Sequence, residues 1–127
     1  MDRKVVMTTK APAPIGPYSQ AIAVSNFIFC SGQIPLDPQT SQLIQGDISA
    51  QTKRILDNFE AVLKAAGSSL DKTVKLTVYL TNLADFDALN KVLAERFKKA
   101  PPARAVVQVS ALPKNASIEM DLIALKD

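Results

Sequence analysis

Hydrophobic residues recur along this chain with two different periods. Between residues 47 and 67 they return every three or four positions, which is typical of an amphipathic helix. Asp47 can cap the first turn of that helix and Gly67 can end it. A second stripe of the same period predicts a helix from about residue 83 or 85 to residue 99, where a Pro-Pro pair follows and stops it.

Between residues 73 and 81 hydrophobic and polar residues alternate, which indicates a half-buried strand. Its predicted apolar face carries Val74, Leu76, Val78 and Leu80. Shorter apolar runs predict strands at residues 4–8, 21–24, 26–32, 104–110 and 117–125, with a candidate edge strand at 41–45. The last two strands favour antiparallel pairing, and the strand–helix–strand passages favour parallel neighbours. We therefore predict an α+β fold, a mixed sheet with two helices packed on one face.

Two helices cover only one face of such a sheet, so the other face must meet water or another subunit. Alternation places a mixture of charged and apolar side chains on that uncovered face: Tyr79, Arg104, Val106, Gln108, Glu119, Asp121 and Ile123. The mixture is too apolar for a wholly solvated surface and too charged for a core. It favours an interface with clefts between copies of the chain, and closed symmetric homo-oligomers are the usual outcome.

Arg104 and Glu119 are the candidate chemical groups of that interface. The guanidinium of Arg104 is a planar fork of donors that can hold a carboxylate through two hydrogen bonds. Glu119, on the strand expected to pair beside it, can balance that charge or accept a proton from water. Spacing alone also allows an ion pair between Arg104 and Glu119 that has no catalytic role at the interface. It even favours this simpler explanation.

The composition narrows the chemistry further. The chain has no histidine and a single cysteine, Cys30, which excludes Ser-His-Asp and Cys-His nucleophiles and an intrachain disulfide. The net charge of +3 comes from scattered Lys and Arg, which argues against a nucleic-acid groove. No apolar run is long enough for a membrane span, and the start lacks the apolar block of a signal peptide. We expect one domain, residues 1–127, in the cytoplasm, with a mitochondrial location left open.

Four motifs together resemble the RidA family, the YjgF-like imine deaminases. They are GPYSQA at residues 16–21, FCSGQIPLDP at 29–38, PPARAVVQV at 101–109 and ALPKNASIEMDLIAL at 111–125. The likeness covers essentially the whole chain in the right order. It implies a chorismate-mutase-like α+β fold, assembled as a homotrimer with clefts between subunits. It also implies hydrolysis of reactive 2-imino acids, such as 2-iminopropanoate and 2-iminobutanoate, to 2-keto acids and ammonia, with no metal or organic cofactor.

The same resemblance implies roles for individual residues. Arg104 would clamp the substrate carboxylate, and Glu119 would position or activate the attacking water. The other residues that the resemblance places at the substrate are Tyr18, Ser31, Gly32, Asn90 and Val106. Val106 stands where many members of the family have a cysteine, so a thiol-dependent step at that site is not expected here.

Two other functions and several structural roles stay open. Some relatives are described as ribonucleases or translation inhibitors, and a trimer that only binds keto acids or acts as a chaperone would use the same clamp. Without the family, Tyr18, Gly32 and Asn90 are explained by packing, an unusual backbone angle and a helix hydrogen bond. Cys30, between an apolar run and Ser31, is expected to be a small buried side chain.

Overall fold

The computed structural model describes residues 2–127 and arranges six strands in one mixed sheet, in the order β1-β2-β3-β6-β4-β5. The strands are β1 (Arg3–Val6), β2 (Ala21–Val24), β3 (Phe27–Gln33), β4 (Thr73–Leu80), β5 (Ala103–Gln108) and β6 (Ile118–Leu125). The helices are α1 (Ile48–Ala65) and α2 (Phe86–Arg96), with single 3-10 turns at Leu70–Lys72, Leu83–Asp85 and Pro113–Asn115. The predicted element order is therefore confirmed, as is the α+β class.

The ends of α1 follow the predicted capping. Asp47 accepts a hydrogen bond of 2.9 Å from the backbone N–H of Ala50 through Oδ1. After the helix, Gly67 adopts a positive φ of +80°, and the N–H of Ser68 returns to the carbonyl of Leu63 at 2.8 Å. Each of these hydrogen bonds pairs a backbone group that has no partner within the helix.

The core lies between the two helices and one face of the sheet. The facing positions of β4 and β6 are almost fully buried: Leu76, Val78, Leu80, Ile118, Met120 and Leu122 are all at most 1% exposed. Burying side chains of this size stabilises the fold by about 1.5–3 kcal/mol each. This burial fixes which face of the two central strands points inward, and the alternate residues Tyr79, Glu119 and Asp121 must therefore point outward.

The last two strands do not form the predicted hairpin. β6 lies between β3 and β4 and is antiparallel to both, whereas β5 lies at the edge and pairs only with β4, in parallel. The prediction that Glu119 lies on a strand beside Arg104 was therefore wrong. The reason is burial. Every second residue of β6 from Ile118 to Ala124 is buried, and a strand between two others can bury these side chains more completely than a strand at the edge.

Two local predictions also need correction. A register shift between Thr73 and Lys75 leaves Val74 on the outside, 37% exposed. Thr73 takes the inward position instead and donates its hydroxyl to the carbonyl of Leu70 at 2.7 Å. The candidate edge strand at 41–45 is reduced to an isolated bridge between Leu43 and Leu36.

The side chains of Arg104, Val106 and Gln108 lie on the helix side of the sheet, and their predicted place on the uncovered face was wrong. The parallel register pairs these three residues with the buried Leu76, Val78 and Leu80, and paired residues share a face. In agreement, Gln108 accepts a hydrogen bond of 2.9 Å from the N–H of Leu83, and Val106 packs against the core.

The uncovered face is more apolar than a solvated surface requires. Its exposed hydrophobic side chains include Val5, Phe27, Phe29, Val107 and Leu125, each between 37% and 56% exposed. Tyr79, Glu119, Asp121 and Ile123 share this face, as predicted. Within residues 2–127, neither helix combines the length and the apolar composition of a membrane span.

Candidate functional site

Most of the predicted site residues fall into two separate depressions of the surface. The first, which we call the glutamate cleft, has a volume of about 340 Å³ and is lined by Tyr18, Ser31, Gly32 and Glu119, among others. The second, the arginine groove, has a volume of about 400 Å³ and includes Asn90 and Arg104. Val106 lines neither depression and contributes to the core beside β4.

A buried glutamine, Gln20, holds the loop that forms one wall of the glutamate cleft. Its Nε2 donates to the carbonyls of Thr8 at 3.0 Å and Pro12 at 2.9 Å, and its Oε1 accepts from the N–H of Thr8 at 2.8 Å. Gln20 is only 3% exposed. This role was not predicted from the sequence, although a glutamine at the end of a Pro-rich loop and just before a strand was a signal for it.

The opposite wall comes from an irregularity in β3. The pairing of β3 with β6 shifts between Cys30 and Gln33, which releases Ser31 and Gly32 from the regular ladder. Ser31 donates its hydroxyl to the carbonyl of Ser19 at 2.6 Å, and its N–H donates to the carbonyl of Gln20 at 3.0 Å. Ser31 thus attaches the loop to the sheet, and its predicted place beside a substrate stays a prediction.

Glu119 enters the cleft against the backbone of Gly32. A Cβ built on Gly32 would lie 2.6 Å from Oε2 of Glu119, so any larger residue would displace the carboxylate. Burial raises the pKa of Glu119, and the nearby charge of Asp121 raises it further. The structure thus places in the cleft a carboxyl group that is more basic than an exposed glutamate.

Tyr18 forms part of the same cleft from the loop. Its hydroxyl accepts a hydrogen bond of 3.3 Å from the N–H of Ile15, and the residue is 47% exposed. The side chain is therefore attached to its own loop but leaves much of its surface open to the cleft. The predicted contact of Tyr18 with a substrate stays a prediction.

The arginine groove is formed between α2 and the edge strand β5. Arg104 donates from Nη1 to Oδ1 of Asn90, and its guanidinium carbon lies 5.5 Å from the centroid of the Phe86 ring. The two α2 residues are four positions apart and so share one face of the helix. The family resemblance indicated Asn90 but not Phe86, although the spacing of Phe86 from Asn90 was a signal for it.

Arg104 keeps donors available for an anion. Among residues 2–127, both ion pairs within 4.0 Å involve Arg96, which contacts Asp57 and Glu60. Arg104 therefore has no carboxylate partner of its own in the described chain. A guanidinium fixed by an amide and an aromatic ring, with its remaining N–H groups free, suits a carboxylate ligand.

Arg104 and Glu119 do not meet within one chain. Arg104 is paired with Leu76 on the helix side, whereas Glu119 is paired with Tyr79 on the opposite side. The strands that carry them are separated by β4, which is a lateral distance of about 10 Å between strand axes. An ion pair between Arg104 and Glu119 is therefore not formed within a single chain.

Two further titratable side chains lie on the neighbouring strands, Tyr79 on β4 and Cys30 on β3. Tyr79 donates a hydrogen bond of 3.0 Å to Oδ2 of Asp121, on the same face as Glu119. Cys30 is buried, as expected, and burial raises the pKa of its thiol to about 12. In the range 2–127, no cluster of three or more His, Cys, Asp or Glu side chains is arranged to hold a metal ion.

Comparison with known proteins adds relatives that match almost the whole chain. The model of the family described as Endoribonuclease L-PSP matches residues 8–126. A RutC family protein of Pyrococcus abyssi is 54% identical over 127 residues, covering 100% of both chains. The protein of Mus musculus named 2-iminobutanoate/2-iminopropanoate deaminase is 45% identical over 124 residues, covering 98% of this chain and 92% of that one.

The solved structures agree with the sequence comparison. The crystal structure of E. coli TdcF with bound serine superposes with a TM-score of 0.91 at 37% identity, covering 98% of this chain and 99% of that one. Agreement in fold, sequence and length leaves no doubt about the relationship. The chain belongs to the Endoribonuclease L-PSP family, which is the RidA (YjgF/RutC) family that its motifs resemble.

Proposed function

We propose that this protein hydrolyses 2-imino acids to 2-keto acids and ammonia at a site shared between two copies of the chain. The observation that carries the proposal is the division of the site. Arg104 is held ready for a carboxylate in one depression, and Glu119 is held as a basic carboxyl group in the other. A ligand that needs both groups has to lie between two chains.

Two relatives support the nature of the ligand. The mouse relative is named as a deaminase of 2-iminobutanoate and 2-iminopropanoate, and the TdcF structure contains serine. Each of these molecules is a small acid with a nitrogen on the carbon next to its carboxylate. A guanidinium can bind the carboxylate of such a molecule, and a nearby carboxyl group can interact with its nitrogen.

We further propose a homotrimer as the assembly that brings the two depressions together. The uncovered face of the sheet exposes Val5, Phe27, Phe29, Val107 and Leu125 around the polar group of Tyr79 and Asp121. An exposed apolar surface of this kind favours burial against another copy. In a cyclic trimer each chain would offer its arginine groove to one neighbour and its glutamate cleft to the other.

The reaction needs positioning more than strong acid–base chemistry. A protonated imine is already electrophilic at its carbon. Water adds to that carbon, and the pair of electrons of the C=N bond moves to nitrogen. The nitrogen of the resulting carbinolamine then takes up a proton and leaves as ammonia, while the hydroxyl releases its proton and becomes the carbonyl of the keto acid. Held at Arg104, the carboxylate of the substrate would place this carbon within reach of the Glu119 carboxylate of a neighbouring chain.

Glu119 would act as the base for the attacking water. Since burial raises its pKa, the carboxylate takes up a proton more readily than an exposed glutamate and can later return it to the leaving nitrogen. Because Gly32 has no Cβ, Oε2 of Glu119 can lie close to its backbone. These contributions are electrostatics and orientation, and they use only side chains of the protein.

Mixed oligomers of two inactive variants test the shared site. Arg104→Ala lacks the clamp and Glu119→Gln lacks the base, so each homotrimer should lose clearance of imine generated in situ by a PLP-dependent dehydratase. Co-expression with two different tags, followed by purification on both, yields trimers that contain both variants. Each mixed trimer then has one site between two chains at which both Arg104 and Glu119 are present. About one third of wild-type activity is therefore expected.

The control is Arg104→Ala co-expressed with a second, differently tagged copy of itself, which should stay inactive. A mixed trimer without activity would show that the two residues do not cooperate across chains. Full activity of homotrimeric Arg104→Ala would overturn the proposed hydrolase mechanism. Analytical ultracentrifugation of every sample checks that the assembly is the same.

RNA cleavage is the competing function, because the matched family is described as an endoribonuclease. The absence of histidine removes the usual general base of such enzymes, and the positive charges are scattered. We expect weak RNA binding without cleavage. Tight binding that weakens steeply with salt, accompanied by cleavage that Glu119→Gln abolishes, would favour the ribonuclease instead.

A further inference from the structure

The arginine groove continues well beyond the residues that would hold a carboxylate. Asn90 and Arg104 are its polar residues, and the rest of its lining is apolar: Leu76, Leu93, Ala94, Phe97, Pro101 and Pro102. Most of the apolar lining belongs to α2 and to the Pro-Pro segment that follows it. The groove therefore has a charged end and an apolar remainder.

The apolar walls are fixed parts of the fold. Leu76 is fully buried, and Leu93 and Phe97 are each 5% exposed, so the core holds all three in place. Ala94 is an exposed residue of α2 and leaves open the space in front of these walls. From Asn90 to Arg96 the helix advances by about 9 Å, and Phe97 follows directly at its end.

We propose that this groove receives the side chain of the substrate and selects 2-imino acids whose side chain is a branched aliphatic or an aromatic group. The inference rests on the proposed function, because it takes the carboxylate to lie at Arg104. The side chain of the imino acid would then extend over Ala94 towards Phe97 and the two prolines. The imine carbon, between carboxylate and side chain, would stay at the mouth of the groove, where a neighbouring chain can reach it.

The volume of the groove favours a large side chain over a small one. The volume of about 400 Å³ lies in the range of sites that hold small organic ligands. The methyl group of 2-iminopropanoate would leave most of the apolar wall in contact with water. A leucine-like or phenylalanine-like side chain would cover it, and the burial of that apolar surface would stabilise the bound state.

A substrate series tests the preference on the wild-type protein. Imines are generated in situ from alanine, leucine and phenylalanine by an amino-acid oxidase, and their clearance is followed as kcat/KM. We expect the leucine-derived and phenylalanine-derived imines to exceed the alanine-derived imine by about tenfold or more, since methylene groups in a fitting apolar pocket discriminate by at least this factor. Equal values, or higher values for alanine, would overturn the inference.

A groove-filling variant locates the preference. In Ala94→Phe, the ratio of kcat/KM for the leucine-derived imine to that for the alanine-derived imine should fall at least tenfold. Ala65→Phe is the matched control, because Ala65 is likewise an exposed alanine of a helix but lies outside the groove. An unchanged ratio in Ala94→Phe, or the same fall in the control, would show that the groove does not set the preference.

Binding measurements separate this inference from the proposed function. Calorimetric titration with pyruvate, 4-methyl-2-oxopentanoate and phenylpyruvate requires no catalysis. Tighter binding of the two larger keto acids, lost in Ala94→Phe, would support the groove even in a protein that hydrolyses no imine. Hydrolysis of all imines at equal rates, with equal binding of all three keto acids, would leave the proposed function intact and remove the inference.

Discussion

Tyr79 and Asp121 form a hydrogen bond of 3.0 Å between the phenol and Oδ2, directly beside Glu119 on the uncovered face of the sheet. The bond raises the pKa of Tyr79, because it stabilises the protonated phenol. It also fixes the position of the Asp121 charge, two residues from Glu119 along β6. Tyr18 lines the same cleft as Glu119, and Lys75 lies further along this face of β4, where it pairs with Ile123.

Asp121→Asn should move the acid limb of the pH–rate profile to lower pH. The negative charge of Asp121 raises the pKa of Glu119, so its removal lowers that pKa. If the carboxylate form of Glu119 is the active base, activity is then retained further into acid. The measurement is kcat/KM against pH for the wild type and the variant. Asp71→Asn, an exposed aspartate elsewhere, is the control and should leave the profile unchanged.

Glu119→Gln should stabilise the protein at neutral and higher pH although it removes activity. Burial raises the pKa of Glu119 in the folded chain, so the folded state loses its proton less readily than the unfolded state. Deprotonation therefore disfavours folding as the pH rises above the pKa of the unfolded chain. An uncharged glutamine avoids this effect.

Thermal denaturation at several pH values measures that difference. The stability gain of Glu119→Gln should be largest above the raised pKa and vanish in acid, where both side chains are neutral. Glu95→Gln changes an exposed glutamate of α2 and should show no such pH dependence. A lower melting temperature for Glu119→Gln at all pH values would contradict the role of burial.

Gly32→Ala should reduce activity much more than stability. Its Cβ would lie 2.6 Å from Oε2 of Glu119, and the carboxylate is a flexible end that can move aside. A misplacement of about 1 Å in a reacting group can cost on the order of a hundredfold in rate. Gly16→Ala is the control, because its Cβ would meet the Tyr18 ring at an ordinary 3.6 Å. Equal activities of the two variants would argue against a catalytic position for Glu119.

Cys30 should not react with a thiol reagent in the folded protein. Burial raises the pKa of this thiol to about 12, so almost no thiolate exists near neutral pH, and its surface is covered as well. Labelling by a disulfide reagent should be slow in buffer and rapid in denaturant, and activity should persist during exposure to the reagent. Rapid labelling of the native protein with loss of activity would show that this thiol is accessible and used.

The sequence predicted the elements well because each central element is buried on one side only. One core buries the hydrophobic stripes of α1 and α2 and the alternating hydrophobic residues of β6. The cap at Asp47 depends only on nearby residues and is therefore readable in the sequence. The fold class and the order of elements followed from these patterns.

The arrangement of the last two strands was not readable in the same way. Neighbouring strands in sequence are often neighbours in space, but here β6 moves to the centre of the sheet. At the edge, Val106 is half-buried and Val107 is 43% exposed, so both faces of β5 carry apolar residues. Alternation could therefore not decide the direction of Arg104. The contacts of Arg104 with Phe86 and Asn90 depend on how α2 packs against the sheet. Local sequence patterns do not specify this tertiary packing.

The placement of Arg104 and Glu119 on opposite sides of the sheet has a kinetic consequence. A folded monomer would contain every group of the proposed reaction and still be unable to perform it. Specific activity should therefore fall on dilution below the concentration at which the chains associate, and recover on concentration, without any unfolding. In such a protein the amount made, and not only its sequence, would determine how much activity each chain has.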